Sequence, residues 1–218
     1  MSLMEYGRII IRRGWILLLL AAIAAGSAYF LSKRQSPIYR STQLVLISPA
    51  RNDFGLDQAS KSLLPSYVVF LDSEDRAREV ITQLQLDMTP GQLRSNTTVA
   101  ADLSRRVIQI DVELADGNLA NDVARTWGEL LIQWRNAENQ RVRLEDRINA
   151  VLPDSARFGQ IRPRPVVNAL AGAILGVLLG SVFVFILEYL ESSIMRRRED
   201  VERVLNIPVL AAIPDPEG

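Results

Sequence analysis

Val166-Val-Asn-Ala-Leu-Ala-Gly172-Ala-Ile-Leu-Gly176-Val-Leu-Leu-Gly180-Ser-Val-Phe-Val-Phe-Ile-Leu187 runs for about 22 residues without a charge. At about 1.5 Å per residue it makes roughly 33 Å of helix, enough to cross a bilayer. Gly172, Gly176 and Gly180 recur at every fourth position and so share one helix face. In lipid, helices associate by close packing and not by hiding apolar surface from water, and glycines spaced this way let two backbones approach. The partner expected in this groove is the other apolar run, Trp15 to Leu31, of the same chain or of a neighbouring copy, through Ala21, Ala22, Ala24, Ala25 and Gly26. That run is uncharged for about 17 residues, or roughly 25 Å of helix.

Working outward, the two runs bracket a mixed-charge segment. The organisation expected is an N-terminus over 1–14, a transmembrane helix over 15–31, an extracytoplasmic domain over 32–165, a second transmembrane helix over 166–187 and a tail over 188–218. Arg8, Arg12 and Arg13 ahead of the first run, with Gly26-Ser27-Ala28 near its end, suit either a cleavable signal or a signal anchor, and a retained anchor is expected. Basic residues flank both ends of both runs, so the positive-inside rule is nearly balanced. A domain of this length translocates largely regardless of its charge, and both termini are therefore expected in the cytoplasm. Arg12, Arg13, Arg196, Arg197 and Arg198 would then meet the membrane surface. The arginine triplet reads equally well as the solvated start of a polar tail. Pro163 and Pro165 would make the approach to the second helix rigid.

Composition narrows the chemistry. Lysine plus arginine number 25 and acids 25, so no global field favours nucleic acid as a partner. There is no cysteine, hence no disulfide framework and no thiolate nucleophile. There is no histidine either, which removes the usual general base and the commonest ligand for zinc or iron. Carboxylates alone would suffice for a glycosidase, whose two acids stand roughly 5 to 9 Å apart, but no pair stands out. The expectation is a protein that is not an enzyme and needs no cofactor or metal. Gly-x-x-x-x-Gly-Lys-Ser/Thr is absent from the 218 residues, so ATP binding by a phosphate loop is not expected. Asn96-Thr97-Thr98 fits a glycosylation acceptor, a pattern too common to carry weight.

Within the domain, Tyr39 to Ile47 is rich in β-formers and stops at Ser48-Pro49, a first strand. Helices are expected over 58–71 and 74–86, broken near Asp72, with Ser73 as cap and Glu74 and Asp75 in the first turn. Pro90-Gly91 reads as a turn and Val107 to Leu114 as a half-buried strand, followed by a loop over 115–118. From Leu119 a long amphipathic helix is expected, with Val123, Trp127, Leu130, Trp134, Ala137, Leu144 and Ile148 on one stripe and Arg141 interrupting it. Trp127 and Trp134 fit two roles, domain core or contact with a neighbouring subunit. Ile148 to Leu152 would return to the sheet beside the first strand. The fold class is thus α+β: two transmembrane helices flanking a small extracytoplasmic domain with a mixed sheet and a long amphipathic helix.

Arg162-Pro-Arg-Pro165, the glycine-striped helix, Glu188 just beyond it and Arg198-Glu-Asp-Val-Glu-Arg-Val-Leu-Asn-Ile-Pro-Val-Leu-Ala-Ala-Ile-Pro214 together resemble the C-terminal part of the Wzz-type polysaccharide chain length determinants, or polysaccharide co-polymerases. The N-terminal helix, the Tyr39-Arg-Ser-Thr strand and the strand and helix from Val107 extend the likeness in pattern. The resemblance implies a two-pass protein of the bacterial cell (inner) membrane that forms a homo-oligomeric ring or bell. Acting with a Wzy-type polymerase, it would set the length of a surface polysaccharide such as O-antigen (lipopolysaccharide), capsule or exopolysaccharide. It also implies the short form without a kinase domain. The tail cluster Ile207 to Ile213 either docks a separate tyrosine autokinase or lies on the membrane surface. A purely structural ring-forming scaffold is the remaining reading.

Overall fold

The computed structural model describes residues 3–192, with side chains placed over 12–190. In chain order the elements are α1 (Leu3–Lys33), β1 (Ile38–Pro49), α2 (Phe54–Leu71), α3 (Glu74–Leu84), α4 (Pro90–Ser95), β2 (Thr97–Asp102), β3 (Val107–Leu114), α5 (Gly117–Asn139), β4 (Ile148–Val151), β5 (Arg157–Arg162) and α6 (Pro165–Ser192). They fall into two compact units. One holds α1 and α6, the other Gln35–Pro163.

The first unit is the antiparallel pair α1 and α6. Arg12–Lys33 and Pro165–Leu190 are each long and apolar enough to cross a membrane. Pro165 opens α6, where its missing N–H is one the helix would leave unbonded anyway.

The second unit is α+β, as expected, but its sheet is antiparallel throughout and not mixed. The strand order is β2-β3-β1-β4, and β5 also pairs with β1. The reason lies in the end of the chain. β4 takes the far end of one edge of β1, with Pro49 opposite Ile148, and β5 the near end, with Ile38 opposite Arg162. A strand that returns in two short pieces needs no crossover and so no parallel pairing. Between the pieces, buried Gln43 on β1 donates from Nε2 to the carbonyl of Asp154 at 2.8 Å. Helices α2 and α5 cover the face carrying Val45, Ile47, Ile108, Ile110 and Val112, all buried.

Local chemistry sets the helix ends. Ser73 caps α3 through the Arg76 amide, and Asp116 caps α5 through the amides of Asn118 and Leu119. The loop expected over 115–118 is therefore already the start of α5. Pro90-Gly91 begins α4 and is not a plain turn, because Thr89 and Gln92 form a reciprocal capping box. α2 begins earlier than expected, at Phe54, because Asp53 accepts from the Leu56 amide and caps it there. Strand β2, unannounced in the sequence, pairs along its full length with Val107 to Val112 of β3 through a turn at 103–106. In that turn Asp102 accepts from Ser104 and Arg105, and Arg106 takes a left-handed φ of 56° to re-join the strand.

The long helix ends sooner than its apolar stripe does. α5 stops at Asn139, Ala137 is exposed, and Leu144 and Ile148 belong to a 3₁₀ turn and to β4. No glycine or proline forces that stop. Buried Arg135 donates to the Ile148 carbonyl from Nε and Nη2 at 3.3 and 3.1 Å, and Asn139 Nδ2 donates to the same oxygen at 2.9 Å. Three donors on one carbonyl draw the chain back to the sheet. The Arg135 guanidinium also lies over the rings of Tyr67 and Trp134, at 5.7 and 5.6 Å from their centroids, where cation–π attraction offsets part of its desolvation.

Candidate functional site

In the helix pair the glycine face of α6 lies against the small residues of α1. A Cβ at Gly172 would sit 2.8 Å from the carbonyl oxygen of Ala24, and one at Gly176 would sit 2.7 Å from Cα of Ala21 and 2.8 Å from the carbonyl oxygen of Leu20. These are backbone atoms and cannot step aside. At Gly180 the neighbour is the flexible end of Leu17, at 3.1 Å. Gly26 of α1 has nothing within 4 Å of its position, so the α1 side of the contact is Leu17, Leu20, Ala21, Ala24 and Ala28, without Gly26.

Polar contacts close the pair at both ends. Asn168 Nδ2 donates to Ser32 Oγ at 2.7 Å, with Ser32 only 2% exposed. At the other end Arg13 Nε meets Glu188 Oε2 at 3.3 Å. In low dielectric such contacts fix register, because sliding one helix by a turn would leave a charge and an amide without partners. The sequence pattern places Arg13 at the membrane surface and gives no role to Ser32 or Asn168. The signal available was their position, one polar residue at each end of each apolar run. Arg12 is exposed. Arg196, Arg197, Arg198 and the Ile207–Ile213 cluster lie outside the described residues.

In the sheet-bearing unit, Trp127 is fully buried and its Nε1 donates to the Leu71 carbonyl at 3.0 Å. It is inaccessible to a neighbouring copy. Trp134 is half-buried, stacked on Phe70 at 4.7 Å between centroids and edge-on to Tyr67 at 5.7 Å. Pro163 ends this unit, directly after β5.

The sheet face away from α2 and α5 carries a polar network at the end where the chain enters and leaves. Glu113 on β3 accepts from Arg40 of β1 and from Arg162 of β5, the latter at 3.1 Å. Beside it, Asp111 accepts from Thr42 Oγ1 at 2.5 Å and from Gln109 Nε2 at 2.8 Å. Arg40 first, and Arg162 after it, hold the Glu113 carboxyl below its ordinary 4.5. A carboxyl depressed on folding contributes stability above its unfolded pKa, and that contribution is lost as pH falls through the folded value. Asp57 is depressed by Lys61 and Arg106, and Asp72 by Arg94, in the same direction. Unfolding midpoints should therefore drop as pH falls below about 4.5. Glu113→Gln should lower the midpoint at about pH 7 and approach the parent as pH falls below about 4.5, measured by thermal circular dichroism. Parallel curves for the two proteins would show that the network does not supply the acid sensitivity.

The molecule thus has two membrane-length helices closed on each other by a glycine face, with an antiparallel α+β unit between them in sequence, an arrangement consistent with a membrane protein. No protein-family model matches the chain. It is 26% identical over 208 residues to a probable capsular polysaccharide biosynthesis protein, YwqC, of Bacillus subtilis, covering 91% of this chain and 81% of that one. It is 28% identical over 162 residues to the capsular polysaccharide biosynthesis protein CpsC of Streptococcus pneumoniae, covering 72% and 66%. Against the capsular polysaccharide type 8 biosynthesis protein cap8A of Staphylococcus aureus the figures are 21% over 183 residues, covering 82% and 80%. Over most of its length the chain is thus similar to proteins named for capsular polysaccharide biosynthesis, in keeping with the resemblance to the short Wzz-like co-polymerases.

Proposed function

We propose that the chain regulates the length of a capsular or related surface polysaccharide, as a non-catalytic homo-oligomer in the cell membrane with both termini cytoplasmic. The observation that carries this reading is the similarity to a capsular polysaccharide biosynthesis protein over 91% of the chain and 81% of that protein. A match of that extent favours the whole device over a borrowed domain. The partners of this reading are the bilayer, other copies of the chain, a Wzy-type polymerase and the growing polysaccharide. Deleting the gene should shift the size distribution of the surface polysaccharide, read by gel electrophoresis of extracted glycan, and the full chain supplied in trans should restore it. An unchanged distribution would leave the structural scaffold as the better reading.

A second reading, an adaptor for a separate tyrosine autokinase, draws on the apolar tail cluster from Ile207 to Ile213. Removal of residues 205–218 should then abolish recruitment and phosphorylation of the kinase in cells that encode one. Retention of both would eliminate the adaptor role.

A further inference from the structure

We propose that the hollow beside Phe54 is a saccharide subsite that takes a neutral hexose unit of the polysaccharide, an inference that rests on the reading above. The hollow has a volume of about 430 Å³, is open to solvent, and is lined by Ser48, Asn52, Asp53, Phe54, Asp57 and Arg106 among others. Small-ligand sites span roughly 300–1,000 Å³. Three separate segments build it: the end of β1, the first turn of α2 and the turn between β2 and β3. It sits at the end of the sheet opposite the one where Ile38 pairs with Arg162, so it lies far from where the chain enters and leaves this unit.

The lining is held in place before any ligand arrives. Asp53 Oδ1 is fixed by the Leu56 amide at 3.0 Å, and the backbone just before it is tied by Ala50 N to the Arg147 carbonyl at 2.8 Å. Asp57 is gripped by Lys61 at 2.7 Å and by Arg106, whose left-handed backbone aims it across from the other turn. What is left over is the recognition chemistry. The Ser48 hydroxyl and the Asn52 amide line the hollow without a hydrogen bond among the described residues, and the second oxygen of Asp53 is not engaged by its cap. An amide and a carboxylate side by side suit the paired hydroxyls of a sugar, one group donating and accepting, the other accepting only.

Phe54 supplies the apolar half. It is 86% exposed at the first position of α2, where no packing contact accounts for it. A lone exposed aromatic means little. Beside free hydroxyl, amide and carboxylate groups it completes a platform, since the negative face of the ring attracts the polarised C–H groups of a pyranose. Charge selects among sugars. Asp57 and Asp53 together balance Lys61 and Arg106, and the remaining Nε of Arg106 is buried, so a uronic acid or phosphate would find no net positive charge here and would face Asp53. A neutral ring meets neither objection.

The test uses the full chain in lipid nanodiscs and saturation-transfer NMR. The probes are a neutral galactose–glucose tetrasaccharide and a glucuronic-acid-containing tetrasaccharide of equal length. The neutral probe should receive saturation and the acidic one should not. Phe54→Ala should weaken the neutral probe about twofold to tenfold, Asn52→Ala should weaken it as well, and Val69→Ala, exposed elsewhere on α2, should leave it unchanged. Unaltered circular dichroism keeps the variants interpretable. No transfer to either probe, equal transfer with Phe54→Ala, or preference for the acidic probe would each overturn the subsite. If the deletion strain still loses length control while the purified chain ignores both sugars, this inference fails and the reading beneath it stands.

Discussion

Gly176→Leu should abolish the thiol cross-link between cysteines placed at Ser32 and Asn168, while Gly26→Leu leaves it intact. The chain has no cysteine of its own, so the two introduced thiols report only on the helix pair. Ser32 and Asn168 touch at 2.7 Å and mark one end of it. At Gly176 even the first atom of a side chain would fall 2.7 Å from Cα of Ala21, and leucine adds three more carbons. Overpacking of this kind costs about 1–3 kcal/mol where neighbours can adjust. Here the neighbour is backbone, and helix association in lipid depends heavily on such close packing. A factor of roughly 5–150 in pairing is expected. Gly180→Leu should be milder, since the Leu17 side chain can rotate away. If the groove also supports the proposed homo-oligomer, Gly176→Leu will reduce oligomer size in detergent. Equal cross-linking in the Gly176 and Gly26 variants would refute the assignment of the groove.

The second large effect is expected at Trp127→Ala, at about 3–5 kcal/mol of unfolding free energy. The indole is fully buried in the core, and its loss opens a cavity and leaves the Leu71 carbonyl without its donor. Denaturant unfolding of the full chain, followed by far-ultraviolet circular dichroism, should show a lower midpoint with an unchanged slope. Trp134→Ala should cost less, because that ring is only half-buried and its partners Phe70 and Tyr67 can close over the gap. A larger loss at Trp134 would contradict the packing described.

The strands and helices that announce themselves in sequence are those whose signal is local. β1 and β3 alternate apolar and polar residues, and Ser73 with its two following acids starts α3 where expected. β2 and β5 have no such alternation. Thr97–Asp102 pairs because β3 offers an edge, and Arg157–Arg162 because β1 does. The period of three and four continues past Asn139 and predicts a helix running on to Ile148. What ends it is a carbonyl nine residues further on, and no local pattern records that.

The candidate sites divide in the same way. The glycine stripe and its alanine-rich partner are visible in the chain, because spacing alone puts small residues on one face. The pairing of Arg13 with Glu188 and of Ser32 with Asn168 joins positions far apart in sequence, and so does the hollow by Phe54. Asp57 and Arg106 are 49 positions apart, in a helix and a hairpin turn that meet only in the folded unit.

From its sequence alone this protein is committed to two membrane-length helices, a charge-balanced unit between them, and chemistry without thiol or imidazole. Composition and periodicity act residue by residue, so these follow without knowledge of contacts. Tertiary structure alone decided the antiparallel closure of the sheet by a strand returning in two pieces, the early stop of α5, and the polar contacts that register the helix pair. Each depends on hydrogen-bond donors and acceptors that meet only after distant segments have packed, where an unmatched polar group is costly enough to select one arrangement.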